Sequence, residues 1–157
     1  TSFAQAQKSK GKVKSKVVSG VCMLGAQKQK AWLSDQEFAK KFGFVPVDTT
    51  DDGYELLALS FDGTKPYFLP NAKLQTIEEQ ELTIYFSRQC PYTEQALKTV
   101  RQHCEQNAVP LHLIEVDTLE KAKALPCVFN NWAVFYKGQF QTVNLLDLAT
   151  LKRILKK

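Results

Sequence analysis

Long apolar runs and a secretory leader are both absent from the 157 residues of this chain. No segment approaches the roughly 20 consecutive apolar residues that a membrane-spanning helix needs, so no membrane protein is expected. The first ten residues, TSFAQAQKSK, have no apolar core and no cleavage-like site, which predicts a cytoplasmic protein. Because the chain begins with threonine instead of methionine, we expect it to be part of a longer protein.

Paired cysteines and metal-ligand spacings are also lacking. The chain contains no CxxC pair, and its two histidines add no regular ligand pattern, so no metal site is predicted. Without a secretory leader the thiols are expected to stay reduced, and any thiol chemistry would then depend on a single reactive cysteine. The cysteines are Cys22, Cys90, Cys104 and Cys127.

The composition is that of an ordinary folded protein. Hydrophobic residues make up 44% of the chain and charged residues 24%, close to the globular average. Collagen-like, low-complexity and disulfide-dense classes are therefore excluded. A chain of this length can bury a sizeable core, as one domain or as two small ones.

Basic residues are concentrated near the start of the chain. Seven of the 21 lysines and arginines precede the first acidic residue, Asp35; the other 14 stand against 16 acids, so the net charge of +5 lies at one end. Clustered lysines can bind phosphates, but no arginine or aromatic residue is interleaved here to contact bases. We interpret the cluster as a solvated surface and expect no nucleic-acid partner. The seven are Lys8, Lys10, Lys12, Lys14, Lys16, Lys28 and Lys30.

The pattern of residues 1–62 predicts a strand, a helix and a hairpin. The apolar run at 17–24 is typical of a buried strand, and Ser34 caps a short helix that ends at Gly43. Residues 44–61 then form two apolar stretches around the polar turn TTDDG.

Prolines and charged residues in the middle of the chain indicate a boundary. Residues 63–80 contain Pro66 and Pro70, and we predict a linker there. Residues 81–157 follow the order βαβ(α)ββα, which is typical of a small independent α/β domain. In its first helix Ala96, Leu97, Val100 and Cys104 share one face, as core residues do.

Cys90 stands where the first strand of this second domain meets its first helix. Free N–H groups and the positive end of the helix dipole would both stabilise a thiolate there. Pro91 suits the first helical position, because its missing N–H would have had no partner. Cys90 is thus a candidate nucleophile, and an inert turn cysteine is the alternative.

The strand, the CPYT sequence at residues 90–93, the helix and the closing hairpin and helix resemble the thioredoxin and glutaredoxin fold. The resemblance implies that Cys90 is the nucleophile position and that Pro126 is the candidate for the family's cis-proline. Thr93 stands where a dithiol enzyme has its second cysteine. The implied chemistry is therefore monothiol, through a mixed disulfide, or the fold is kept for binding alone.

Residues 31–61, with the helix FAKKFGF followed by VPV, resemble the end of the GNAT acetyltransferase fold. With the proline-bearing linker and IYFSRQCPYT, nearly the whole chain is similar to the YoaP-like subgroup of GNAT proteins. The resemblance implies an α/β fold: the C-terminal half of a GNAT-like mixed sheet in residues 1–62, followed by a small thioredoxin-like domain.

The same resemblance implies acetyl-CoA as the cofactor of the full-length protein. The family's glycine-rich phosphate loop has no counterpart here, so tight binding to this chain is not expected. The family's frequent tyrosine general acid falls on Ala39. Ser34 and Phe38 are the candidates for the pantetheine groove, with a helix cap and a core residue as their alternative roles.

Three functions follow from these patterns. The first is the C-terminal portion of a GNAT-type N-acetyltransferase that acts on an amine whose identity the sequence does not give. The second is a monothiol redox or thiol-sensing protein working through Cys90, and the third is a non-catalytic interaction module. An incomplete half-sheet also leaves an open edge, so pairing of two copies near residues 17–24 is expected.

Overall fold

The chain forms two β-sheets in the computed structural model, which describes residues 19–24, 36–51, 53–129 and 131–157. The first sheet has the strand order β1-β3-β2, and both of its pairings are antiparallel. Its elements are β1 (Ser19–Leu24), α1 (Gln36–Lys41), β2 (Val45–Thr49) and β3 (Tyr54–Leu59). The predicted strand, short helix and hairpin are all present.

Strand β3 is the centre of this sheet because its sequence is apolar on both faces. Leu56, Leu57 and Ala58 are almost fully buried. Earlier in the chain α1 ends at Lys41, and Gly43, two residues later, has the positive φ of 85° that is typical of a helix-terminating glycine. The pairing of β2 with β3 shifts register between Pro46 and Asp48, which bends this edge strand.

The second sheet is mixed, with the strand order β5-β4-β6-β7. Strands β4 and β5 run parallel and are joined by a helix, whereas β4–β6 and β6–β7 are antiparallel. The elements are β4 (Leu82–Phe86), α2 (Thr93–Gln106), β5 (Leu111–Glu115), α3 (Leu119–Ala124), β6 (Trp132–Tyr136), β7 (Gln139–Thr142) and α4 (Leu148–Leu155). This is the predicted order of elements, and the α/β class is confirmed.

The second sheet is covered on both faces. On one face α2 and α4 pack against a cluster formed by Leu82, Ile84, Phe86, Leu97, Val100, Cys104, Trp132, Val134, Leu151 and Ile154. On the other face the region of α3 packs against Val116, Ala122, Leu125, Cys127, Phe129, Ala133 and Phe135. No helix in the described ranges is both long and apolar enough to cross a membrane.

The segment predicted as a linker is packed and hydrogen-bonded. It contains a 3₁₀ turn at Pro70–Lys73, and Phe68 and Ala72 are buried in a cluster with Tyr54 and Leu56 of β3. The Asn71 side-chain amide donates to the carbonyls of Lys123 and Leu125, at 2.6 and 2.9 Å. The division into units 1–62, 63–80 and 81–157 stays a prediction, but residues 68–80 contact both sheets.

The β6–β7 hairpin turn is closed against the same segment. Lys137 and Gly138 both have positive φ, 52° and 72°, as a tight hairpin turn of this hand requires. The Ile77 N–H donates to the Gly138 carbonyl at 2.9 Å, and the Lys137 N–H donates to the Gln80 carbonyl at 2.9 Å. The backbone of residues 77–80 therefore lies directly on the turn.

We predict that Gly138→Ala destabilises the protein by about 2–4 kcal/mol, since an alanine combines left-handed strain with a steric clash. A Cβ at this position would lie 2.9 Å from the Ile77 carbonyl oxygen, which belongs to the backbone. Gly63→Ala is the matched control, because Gly63 also has a positive φ of 79° but nothing lies within 4 Å of its Cβ position. Denaturant unfolding measures both, and equal losses of stability would contradict the prediction.

Asp48 joins β2 to the 3₁₀ turn region. Its Oδ2 accepts the Phe68 N–H at 2.8 Å, and its Oδ1 accepts from Lys73 Nζ at 2.7 Å and from the Thr49 N–H at 2.8 Å. Partial burial would raise the pKa of Asp48, but the hydrogen bonds from Lys73, Phe68 and Thr49 outweigh it and hold this pKa below its ordinary value.

We predict that Asp48→Asn lowers the free energy of unfolding at pH 7 by about 1–2 kcal/mol. Because the folded-state pKa is depressed, the stabilisation is present above the unfolded pKa of about 3.9 and is lost as pH falls through the folded value. The variant should therefore show a shallower loss of stability below about pH 4 in urea titrations. Asp51→Asn, in the exposed turn that follows β2, is the control. If the stability of Asp48→Asn fell with acid as steeply as that of the wild type, the lowered pKa of Asp48 would be contradicted.

Candidate functional site

Cys90 lies in the turn of residues 87–92 that joins β4 to α2. Its side chain is neither buried nor fully exposed, and its carbonyl accepts the Thr93 N–H at 3.1 Å. The helix begins at Thr93, so Pro91 belongs to the turn and does not occupy the predicted first helical position. Cys90 is thereby held next to the N-terminus of a 14-residue helix, as the sequence predicted.

Thr93 occupies the place of a second cysteine and points into the protein. It is fully buried, and its hydroxyl donates to the Ser87 carbonyl at 3.2 Å. A buried hydroxyl needs such a partner, and here the bond also closes the turn across its base. The turn therefore offers one thiol, and a hydroxyl that fixes the backbone beneath it.

Arg88 fixes the outer side of the turn. Its Nε donates to Glu115 Oε1 on β5 at 2.9 Å, and its guanidinium also pairs with Glu94 on α2. The guanidinium lies 5.7 Å from the centre of the Phe86 ring. Exposed ion pairs contribute little stability singly, so this cluster acts mainly by holding the turn in one orientation.

Pro126 does not have the predicted geometry. The peptide bond before it is trans, and its carbonyl accepts the Gln75 N–H at 2.7 Å, so that this carbonyl is directed at the 68–80 segment. The residue that meets the Cys90 turn is Asn131, whose carbonyl accepts the Ser87 N–H at 2.8 Å. Asn131 directly precedes β6, which pairs with β4 through Trp132 and Phe86.

The sequence contains a pattern that indicates Asn131 instead of Pro126. The residue that lies opposite the Cys90 turn is determined by where β6 starts. The apolar sequence WAVFY marks that start, six residues after Pro126. The residue immediately before this strand was therefore the better candidate.

Cys104 and Cys127 are shielded from solvent. Cys104 is buried on the core face of α2, as its helical spacing predicted, and Cys127 is fully buried among the residues under α3. Burial, and then the charge of Glu105, raise the pKa of Cys104. Cys22 lies in β1. Within the described ranges no group of three or more His, Cys, Asp or Glu side chains could hold a metal ion.

The candidates for the acetyl-CoA groove separate into different environments. Phe38 is 56% exposed on α1 and contacts Phe42, with ring centres 5.0 Å apart, so it is not a core residue. Ala39 is buried, and its methyl group supplies no proton donor at the family's tyrosine position. Ser34 lies outside the described residues.

Comparisons with known proteins place the chain among relatives. The family model described as YoaP-like matches residues 110–156. The uncharacterized N-acetyltransferase YoaP of Bacillus subtilis (strain 168) is 26% identical over 140 residues, which cover 88% of this chain and 56% of that protein. The chain thus spans little more than half the length of this relative, and no solved structure matches it. Both matches show that the chain is related to the YoaP-like proteins, as its sequence resemblance implied.

Proposed function

We propose that this chain is the C-terminal portion of an N-acetyltransferase that transfers an acetyl group from acetyl-CoA to an amine. The observation that carries the proposal is the similarity to an N-acetyltransferase across 88% of the chain. The helix, strand and strand succession of α1, β2 and β3 supports it, because this is the succession that the GNAT resemblance implies.

Bound acetyl-CoA would supply an activated thioester, and the amine would attack its carbonyl carbon directly. The amine loses a proton, and the departing thiolate takes one up. Ala39, at the position where the family often has a tyrosine, is a buried methyl group and cannot protonate the thiolate. The contribution of α1 would therefore be to bind acetyl-CoA. The exposed ring of Phe38 can pack against the pantetheine arm, and Lys41 on the same helix provides a positive charge. Proximity of the two reactants would then account for most of the rate.

We predict weak and local binding of acetyl-CoA to the 157-residue chain. Without a phosphate-cradling loop in this sequence, half-saturation should lie above about 100 µM at physiological salt. In an NMR titration the largest shifts should occur at α1 and β2. Phe38→Ala should weaken the response about tenfold or more, which corresponds to roughly 1.4 kcal/mol.

The control for this titration is Phe61→Ala. Phe61 is 67% exposed and lies after β3, so its removal should leave the titration unchanged. Micromolar binding would show that the cofactor site lies elsewhere in the chain. Chemical-shift changes that appear only outside α1 and β2 would contradict the placement of the pantetheine groove at Phe38.

A second function, monothiol chemistry at Cys90, is favoured by a different observation. Cys90 is partly accessible at the N-terminus of α2, within a β4-α2-β5 unit whose turn carries no second cysteine. The topology supports the thioredoxin-like reading proposed from the sequence. In the expected step the Cys90 thiolate attacks one sulfur of a disulfide, a mixed disulfide forms, and the other sulfur leaves as a thiolate that water protonates.

We predict that Cys90 is alkylated at least about tenfold faster at pH 7 than Cys104 or Cys127, because both of these are buried. Mass spectrometry of peptides from a timed iodoacetamide reaction measures each rate. In Cys90→Ser the fast phase should disappear while the slow phases persist. A fast phase that maps to Cys104 or Cys127 would exclude Cys90 as the accessible nucleophile.

A further inference from the structure

Four aromatic rings form a continuous row from the first sheet into the second, here named the aromatic row. The Tyr54 ring of β3 meets the Phe140 ring of β7 edge to face, with ring centres 6.4 Å apart. The Phe140 ring contacts Phe135 of β6 at 5.6 Å, and Phe135 contacts Tyr85 of β4 at 5.7 Å, again edge to face. Contacts of this geometry are favourable beyond the area that they bury. The row therefore joins the central strand of the first sheet to three strands of the second.

Phe140 is the member of the row that packs in two cores. It contacts the cluster under α3 and also the cluster around Leu56 of β3. Val128 and Val143, which flank the β6–β7 hairpin, pack in the cluster around Leu56 as well. Because the adjacent residues Leu56 and Leu57 are both fully buried, β3 needs a cover on each of its faces. The second sheet supplies the cover on the Leu56 face.

The segment between the two sheets is hydrogen-bonded to both of them. The Phe140 N–H donates to the Gln75 carbonyl at 3.0 Å, and the Gln75 N–H donates to the Pro126 carbonyl at 2.7 Å. Lys73 of the same segment donates to Asp48 of β2 at 2.7 Å. Polar contacts thus hold β2 and β7 to one segment, beside the place where the aromatic rings meet.

We propose that the two sheets form one cooperative unit, in which the second sheet supports the strands that carry the acetyl-CoA site. The proposal rests on the proposed function only for the presence of that site. Separation of the sheets would expose Tyr54 and Leu56 of β3 together with Phe140 of β7, and exposure of such large apolar side chains is costly. The cost falls on both sheets, so neither opens alone. The YoaP-like region, residues 110–156, is then an integral part of the acetyltransferase portion.

Native-state hydrogen exchange of Ile84→Val tests the cooperative unit. Ile84 is fully buried on β4 against α2 and α4, on the face of the second sheet opposite to the aromatic row. Loss of one buried methyl group should speed the exchange of the slowest β4 amides about fivefold. The slowest β3 amides should then speed up by the same factor, within about twofold. Unchanged exchange in β3 would overturn the proposal.

A double-mutant cycle tests the aromatic row itself. Tyr54→Leu and Phe140→Leu are made singly and together, and urea denaturation gives the unfolding constant of each variant. The effect of the double variant should differ from the product of the single effects by at least about threefold, because the two rings are in contact. Trimethylamine N-oxide in every sample keeps an unstable variant folded.

The matched control for this cycle is Tyr54→Leu combined with Phe86→Leu. Phe86 is also a buried phenylalanine of the second sheet, but it packs in the cluster of α2 and α4. Its effect and that of Tyr54→Leu should therefore multiply. If the effects of Tyr54→Leu and Phe140→Leu multiplied too, the role of the aromatic row would be contradicted.

Acetyl-CoA separates this proposal from the proposed function. A ligand that binds only the folded protein slows exchange through global unfolding by one plus the ratio of its concentration to its dissociation constant. At about nine times the half-saturating concentration, the slowest amides of β3 and β4 should both exchange about tenfold more slowly. Slower exchange in β3 alone would contradict the cooperative unit. If millimolar acetyl-CoA slows neither strand, the acetyl-CoA site is contradicted, and the comparison with Ile84→Val decides the cooperative unit.

Discussion

Burial of β4 on both faces is the constraint on which the second half of the molecule depends. Its sequence, LTIYF, is apolar enough for the centre of a sheet, so it requires partner strands at both edges and helices on both sides. Leu82, Ile84 and Phe86 point to α2 and α4, and Tyr85 contacts the cluster under α3. The parallel partner β5 demands a crossover, and α2 supplies it. The turn that carries Cys90 exists because the chain must leave β4 at its carboxyl end and enter that helix.

The two sheets share their intermediate segment in a way that composition does not reveal. Residues 68–80 place Phe68 and Ala72 against β3, while their backbone is hydrogen-bonded to the hairpin turn and to the Pro126 carbonyl. Lys73 of this segment also donates a charged hydrogen bond to Asp48 of β2. Prolines predicted irregular backbone in this segment, and apart from the 3₁₀ turn most of it is irregular. Composition could not show the packing, because it depends on contacts distant in sequence, such as the Asn71 side chain bonding carbonyls 52 and 54 positions away.

Sequence patterns predicted the features that depend on neighbouring residues in the chain. The order of strands and helices, the core face of α2 and the turn position of Cys90 follow from periodicity and from residues that begin or end elements. The assignment of Pro126 was wrong, because the contact opposite the turn depends on strand register and falls on Asn131. Phe38 illustrates the same limit. An aromatic residue in an amphipathic helix is consistent with core or surface, and only the packing of α1 shows that it is exposed.

The replacement of a second cysteine by Thr93 has a structural consequence as well as a chemical one. The position is fully buried, so any polar group there must find a partner, and threonine finds it in the Ser87 carbonyl. Ser87 also donates its N–H to the carbonyl of Asn131, the residue that precedes β6. A dithiol enzyme would use this position for chemistry and break or form a bond there during turnover. Here the position holds a hydrogen bond to the Ser87 carbonyl, and the turn contains no second thiol for disulfide exchange. Ser87 is in turn bonded to the residue that precedes β6, so the threonine joins the turn to that strand through Ser87.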